Sequence, residues 1–253
     1  MTVRSAERVS VVENFVMPLP LPLDVASLTM SLVNIESVSH GEGPLADSIE
    51  QALRTQPHLG VERFGSTVVA RTDLGHAERV LLVGHLDTVP GDANLLAYVE
   101  MGKLFGLGAC DMKGGLAVML KSAALQTYGR DVTFVFYDGE ELAAEPSGVD
   151  RLAQQRPDLL HADLAVVMEP TDARVEITGG TPLALAAAAF LELVGTDPIP
   201  APGRTGAARF EELGVPALTF GPGDPRLAHT RDEYVPTAQL TECEHVLREL
   251  LRA

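Results

Sequence analysis

Short apolar runs alternate along this chain with longer segments in which apolar positions recur every three or four residues. The runs Val80–Val83, Val132–Tyr137, Leu164–Met168 and Ala217–Phe220 read as strands. Val132–Tyr137 is apolar almost throughout, the signature of a central strand covered on both faces. Val61–Phe64, Thr67–Arg71 and Val175–Thr178 read as further strands, and Leu95–Glu100 with Lys103–Gly106 as a hairpin turning at Met101-Gly102. Helical periodicity predicts helices from an Asp24 or Ser27 cap to about Ile35, over 43–55, from Gly115 to about Gln126, over 147–156, and over an Ala-rich 182–194. A short helix before Ala217 and a terminal one from about Thr237 complete the set, with a Gly/Pro-rich loop at 195–206. Strands alternating with helices predict an α/β fold, three αβα layers around a central mixed, largely parallel sheet. Residues 1–24 read as an extended lead-in ended by Pro18, Pro20 and Pro22, and 25–253 as one domain.

Composition narrows the partners. With 253 residues and 46% hydrophobic content the chain can bury a substantial core. A formal charge of -16 and a pI near 4.7 argue against nucleic acid or an anionic membrane as partner, and bound divalent cations would neutralise part of that charge. Cys110 and Cys243 supply neither a disulfide framework nor a cysteine zinc signature, and Cys110 reads as a small buried thiol. Arg4 and Arg8 precede a mildly apolar stretch, but Glu7, Glu13 and the prolines interrupt it. No stretch is long enough to span a bilayer, so a soluble, cytoplasmic protein is expected.

The candidate chemistry lies mostly at the ends of apolar runs, where an α/β sheet presents functional groups. His85 and Asp87 in Gly84-His85-Leu86-Asp87-Thr88-Val89-Pro90 project to one side of an extended segment. The imidazole can bind a metal while the carboxylate holds its other nitrogen. A histidine that merely ends a strand has the same local pattern. Asp111, after a glycine-rich approach and before a helix, can bridge two cations or simply cap the helix. The adjacent Glu140 and Glu141 repel one another unless a cation lies nearby; one could bind metal and the other shuttle protons. Glu169 before Pro170 and His229 in a Gly/Pro-rich loop complete a set that together suggests a two-metal hydrolase, although each alone fits a surface role. His40, His58, His76, His161 and His245 read as surface residues and Lys113 as a solvated lysine. Neither a Gly-rich phosphate loop nor a serine nucleophile elbow is present.

With these residues in view, the chain resembles the M20 family of zinc-dependent amidohydrolases, and within it the desuccinylases. The matching stretches are 80–90, 104–115, 132–141, 162–171 and 210–233, including Phe220-Gly221-Pro222-Gly223-Asp224-Pro225. The resemblance implies a zinc-peptidase-like αβα catalytic domain. It implies one zinc ion on His85, Asp111 and Glu169 and a second on Asp111, Glu141 and His229, with Asp87 orienting His85 and Glu140 acting as general base. Cobalt or manganese could replace zinc on such ligands. The implied reaction is hydrolysis of an amide in an N-acyl amino acid or a peptide, as in desuccinylases. A deacylase or aminopeptidase-like enzyme acting on a larger or carrier-bound substrate, and a non-catalytic metal-binding homologue, are the alternatives. Family members insert a lid domain after the strand following Met-Glu-Pro; here the lid is expected to be missing near 178–182, which predicts a monomer. Arg204 and Thr205 are candidate substrate contacts: Thr205 matches a Trp-Thr-Asp sequence of related desuccinylases, and Arg204 and Gly206 depart from it. Arg226 and Arg231 could also attract an anionic substrate.

Overall fold

A computed structural model describes residues 18–91, 96–142, 144–178, 185–201 and 206–253. In chain order the elements are α1 (Val25–Val33), α2 (Gly43–Arg54), β1 (Gly60–Phe64), β2 (Thr67–Arg71), β3 (Arg79–His85), β4 (Tyr98–Glu100) and β5 (Lys103–Phe105). They continue with α3 (Gly114–Ala123), β6 (Asp131–Tyr137), α4 (Gly148–Gln155), β7 (Leu164–Val167), β8 (Glu176–Ile177) and α5 (Leu185–Val194). The last are β9 (Ile199–Pro200), α6 (Gly206–Glu212), β10 (Ala217–Thr219), β11 (Tyr234–Pro236) and α7 (Thr237–Arg252).

The main sheet runs β1-β2-β6-β3-β7-β10-β8-β9, and a small second sheet runs β11-β5-β4. Its centre is parallel (β6, β3, β7, β10), and β1, β2 and β8 join antiparallel. Alternation along the strands builds two cores. Val80, Leu82, Phe134 and Phe136 face a layer containing α1, α2, α3, α5 and α7, while Leu81, Val83, Val135 and Tyr137 face α4 and α6. The αβα prediction is therefore the observed architecture. Every residue of β6 is buried, as its almost continuous apolar sequence suits a strand covered on both sides.

Local chemistry sets the helix starts. The Asp24 carboxylate accepts the Ser27 N–H at 2.9 Å at the start of α1. Ser147 and Asp150 exchange hydrogen bonds in a capping box at the start of α4. Glycine is required where layers touch: a Cβ on Gly115 would lie 2.3 Å from the Met168 carbonyl oxygen, and one on Gly221 2.5 Å from that of Glu169. These close approaches bring the start of α3 and the end of β10 against the end of β7.

Some expectations need correction. The predicted loop 195–206 contains β9, which extends the sheet by pairing Ile199 with Glu176. Tyr234–Pro236, with no strand expected, pairs with β5. The helix predicted from Gly115 to about Gln126 ends at Ala123. Residues 1–17 of the lead-in, Leu95 at the start of the hairpin, residues 182–184 of the Ala-rich helix, most of the 178–182 junction, and Arg204 with Thr205 lie outside the described residues.

Candidate metal centre

The carboxyl ends of β3, β6 and β7 lie side by side, so His85, the Glu140-Glu141 pair and Glu169 meet at one edge of the sheet. The loop before α3 brings Asp111 and the loop after β10 brings His229. His229 adopts φ +61°, a left-handed conformation uncommon outside glycine and the kind of local strain that clusters at functional sites.

His85 is buried, and its Nδ1 donates to the Asp87 backbone carbonyl oxygen at 2.9 Å. A carbonyl only accepts, so Nδ1 carries a proton, and Nε2, which faces Asp111, is the nitrogen available to a metal once its own proton is released. The Asp87 carboxylate lies 3.6 Å from Nδ1, and it is the carbonyl of the same residue that makes the short bond. The carboxylate instead accepts the N–H groups of Glu140 and Glu141, each at 3.0 Å, and the Ser39 hydroxyl at 2.9 Å. Burial opposes the Asp87 anion, but the adjacent His85 ring and the N–H bonds from Glu141 and Glu140 outweigh it and hold the carboxyl at about 2.

Asp111 stands between the two histidines. Its Oδ1 is 3.0 Å from His85 Nε2 and its Oδ2 is 3.3 Å from His229 Nε2. Glu169 Oε1 lies 3.6 Å from His85 Nε2, and Glu141 Oε1 lies 2.7 Å from His229 Nε2. His85, Asp111 and Glu169 form one group whose candidate ligand atoms all lie within 4.8 Å of one another, and Asp111, Glu141 and His229 form another. Imidazole and carboxylate at this spacing suit zinc and its divalent neighbours, and Asp111 belongs to both groups.

The electrostatics are those of ligands paired with one another. Burial opposes the His85 imidazolium, yet the charges and hydrogen bonds of Glu169, Asp111 and Asp87 raise its pKa well above the usual value. The Asp111 hydrogen bond raises His229 to about 9, against partial burial. Burial also opposes the Asp111 anion, but the two histidines hold its carboxyl well below the usual range. Glu169 is pushed up by burial.

Glu233 is a supporting residue that no sequence signal exposed. Its buried carboxylate accepts the N–H groups of Gly108 (3.0 Å), Cys110 (2.8 Å) and Asp111 (3.0 Å), which fixes the loop carrying Asp111. Lys113 is not solvated as expected: it is 2% exposed and its Nζ donates to the Ile35 carbonyl at 2.7 Å. Burial lowers its pKa to about 7. His58 is half-buried and bonds the Ala123 carbonyl, whereas His40, His76, His161 and His245 are exposed. Cys110 is buried. Arg226 is paired with Asp224 at 2.6 Å, and Arg231 is exposed.

A cleft of about 270 Å³ opens over the centre, lined by its ligand candidates together with Glu140, Glu176, Thr219 and the Gly206 end of α6. An adjoining hollow of about 280 Å³ shares Glu140 and Gly206. Glu140 is exposed and faces both.

A three-layer α/β domain with paired carboxylate–histidine clusters at the strand ends defines the class of metallohydrolases, and the comparisons agree. The model of peptidase family M20/M25/M40 matches residues 81–253. The chain belongs to that family and, with it, to the metal-dependent amidohydrolases. It is 30% identical to the succinyl-diaminopimelate desuccinylase of Corynebacterium glutamicum, over 90% of this chain and 96% of that protein. That alignment spans 354 positions, so at least 101 of them (354 less 253) face no residue of this chain. Among solved structures, the fold is similar to aminopeptidase PepT of Bacillus cereus (TM-score 0.73, 13% identity, 90% of this chain and 97% of that one). It is also similar to an M20 family metallo-carboxypeptidase of Sulfolobus solfataricus (TM-score 0.71, 12% identity, 90% and 98%). Among the described residues no helix is long and apolar enough to cross a membrane.

Proposed function

We propose that this chain hydrolyses an amide bond of a small N-acyl amino acid or a peptide, with Glu140 as the general base and two zinc ions as cofactors. The observation that carries the reading is the pair of ligand clusters sharing Asp111, with an exposed glutamate beside them on the cleft wall. His85, Asp111 and Glu169 would hold one ion, and Asp111, Glu141 and His229 the other. Two divalent cations, when bound, supply polarisation of the amide carbonyl and acidification of water. The remaining chemistry belongs to the chain. Asp87 anchors the N–H of Glu140 and thereby aims that side chain across the cleft. Glu140 takes a proton from the attacking water and returns it to the departing amine. Its presence favours an enzyme over a scaffold, because a structural metal site has no use for a base.

Desuccinylation is the particular reaction that the Corynebacterium relative suggests. The 101 or more unmatched alignment positions support a domain without the family's lid, hence an open cleft and a monomer. An open cleft also admits larger amides, which keeps a deacylase of bulkier substrates as the second reading. The test is hydrolysis of a panel of N-succinyl amino acids, N-acetyl amino acids and dipeptides by the zinc-loaded chain. Turnover of at least one class, abolished by a chelator and restored by zinc, supports the reading. No turnover of any class would overturn it.

A further inference from the structure

Glu140 and Glu141 stand in the connection between β6, which ends at Tyr137, and α4, which begins at Gly148. The two limbs of this connection meet in a narrow neck. The Gly148 N–H donates to the Asp138 carbonyl oxygen at 2.8 Å. A Cβ on Gly148 would lie 2.0 Å from the Thr67 hydroxyl oxygen and 2.9 Å from Asp138 Oδ1, so the limbs touch with no room for a side chain. The Asp138 carboxylate is shared between two donors. Its Oδ1 accepts the Thr67 hydroxyl and its Oδ2 the Arg151 guanidinium, each at 2.5 Å. Arg151 comes from α4, and its other terminal nitrogen donates to the Pro146 carbonyl oxygen at 2.7 Å. One planar guanidinium therefore clasps the limb entering from β6 at Asp138 and the limb returning to α4 at Pro146.

The clasp acts close to the base. Only Gly139 separates Asp138 from Glu140, and it turns the chain with φ +74°, a conformation that glycine adopts without supplying any side chain to hold it. The course of the chain into Glu140 is therefore set by what fixes its flanks. Asp87 holds the Glu140 and Glu141 N–H groups from one side, and Arg151 holds Asp138 and the returning limb from the other. The Glu141 carboxylate has a tether of its own in His229, at 2.7 Å, whereas Glu140 is exposed on the cleft wall. A loosened neck thus falls on Glu140 before it falls on the ligand clusters. The Arg151 and Asp138 side chains are 40% and 16% exposed, so solvent screens the pair and leaves it little weight in global stability. Its geometry is the part that matters. A guanidinium satisfies two acceptors at once in a fixed plane, which a lysine ammonium on a flexible stem does not reproduce.

We propose that Arg151 is a positioning residue for the general base: by clasping the neck between β6 and α4 it fixes where Glu140 points, without touching the ligand clusters. The proposal rests on the reading of Glu140 as the base for its effect on turnover, but not for the existence of the clasp. A base displaced by even about 1 Å loses much of its effect, and a fall in kcat of at least about tenfold follows.

The test compares the zinc-loaded unaltered chain with Arg151→Met, which keeps the stem, and Arg151→Lys, which keeps the charge. Arg156→Met is the control. Arg156 caps the other end of α4, bonds Glu62 at 2.7 Å and Asp158 at 2.9 Å, and is 36% exposed. Arg151→Met should lower kcat at least about tenfold with KM and zinc content unchanged, Arg151→Lys should recover part of the loss, and Arg156→Met should lose nothing. Residue-resolved amide exchange on the same proteins reads the clasp directly. The Glu140 and Glu141 N–H groups should exchange at least about tenfold faster in Arg151→Met, and at the parent rate in Arg156→Met. Unchanged exchange, an unchanged kcat, a loss of zinc in Arg151→Met, or an equal fall in Arg156→Met would overturn the proposal. Faster exchange in Arg151→Met, when the unaltered chain hydrolyses no amide or Glu140→Gln hydrolyses as well as the parent, would leave the clasp standing and remove the reading of Glu140 as base instead.

Discussion

Asp87→Asn probes the strut beneath the metal centre. In the native structure the Asp87 carboxylate takes N–H bonds from both Glu140 and Glu141 and a hydroxyl bond from Ser39, and it is fully buried. Its carboxyl is held at about 2, against the 3.8 of an unperturbed aspartate. That difference corresponds to about 2 kcal/mol of folding free energy at neutral pH. Because the folded value lies below the unfolded one, this stabilisation is complete above pH of about 4 and is lost as pH falls through about 2. Asparagine keeps the shape but turns an NH2 group toward a backbone donor, which adds about 1 kcal/mol. Urea denaturation of the chelated protein at pH 7 should therefore show the variant about 2–3 kcal/mol less stable, with the gap shrinking below pH of about 4. The loosened Glu140-Glu141 segment should also weaken zinc binding by about tenfold to a hundredfold. A variant within about 0.5 kcal/mol of the parent at pH 7 would refute the argument that this carboxylate anchors the glutamate pair.

Other perturbations separate the centre from its scaffold. Asp131, at the opposite end of β6, accepts bonds from Thr72 (2.7 Å), Leu74 (2.8 Å), Gly75 (3.0 Å) and His76 (3.0 Å). Asp131→Asn should cost about 2 kcal/mol in denaturation yet leave zinc affinity unchanged; altered zinc binding would contradict this division. Gly115→Ala places a methyl 2.3 Å from the Met168 carbonyl oxygen, next to Glu169. It should lose about 2 kcal/mol and bind zinc more weakly, and a fully stable variant would argue against the close packing of α3 on β7. His229 has its pKa raised to about 9 in the metal-free protein, so at pH 7 its imidazolium must release a proton before it can ligate. Zinc titrations in buffers of different ionisation enthalpy should show that release, with affinity rising with pH up to about 9; proton-neutral binding at pH 7 would contradict the raised His229 pKa.

What was legible in the sequence, and what was not, divides along physical lines. Val80–Val83 and Val132–Tyr137 announce central strands because burial on both faces favours nearly continuous apolar side chains, and this gave the αβα architecture. The residues at the ends of such strands were legible too: His85, Glu140, Glu141 and Glu169 each follow an apolar run and all line the cleft. Roles set by long-range contact were hidden. Glu233 lies 122 residues from Asp111 in sequence, and only the folded loop brings its carboxylate onto that N–H. Lys113 looked solvated because lysine usually is, and its burial depends on a carbonyl contributed by the chain just after α1. Thr219 and Glu176 meet by strand pairing between distant segments. The one available clue was Glu176 between Val175 and Ile177, a charge where the alternation puts a side chain on the opposite face from the apolar pair.

Metal content and amide hydrolysis measured on one preparation, for the unaltered chain and for Glu140→Gln, test the central claim most directly. Close to two zinc ions per chain are expected in both proteins, with hydrolysis in the unaltered chain falling at least about a hundredfold in the variant. Failure of the unaltered chain to bind zinc, or equal hydrolysis by the two proteins, would contradict it.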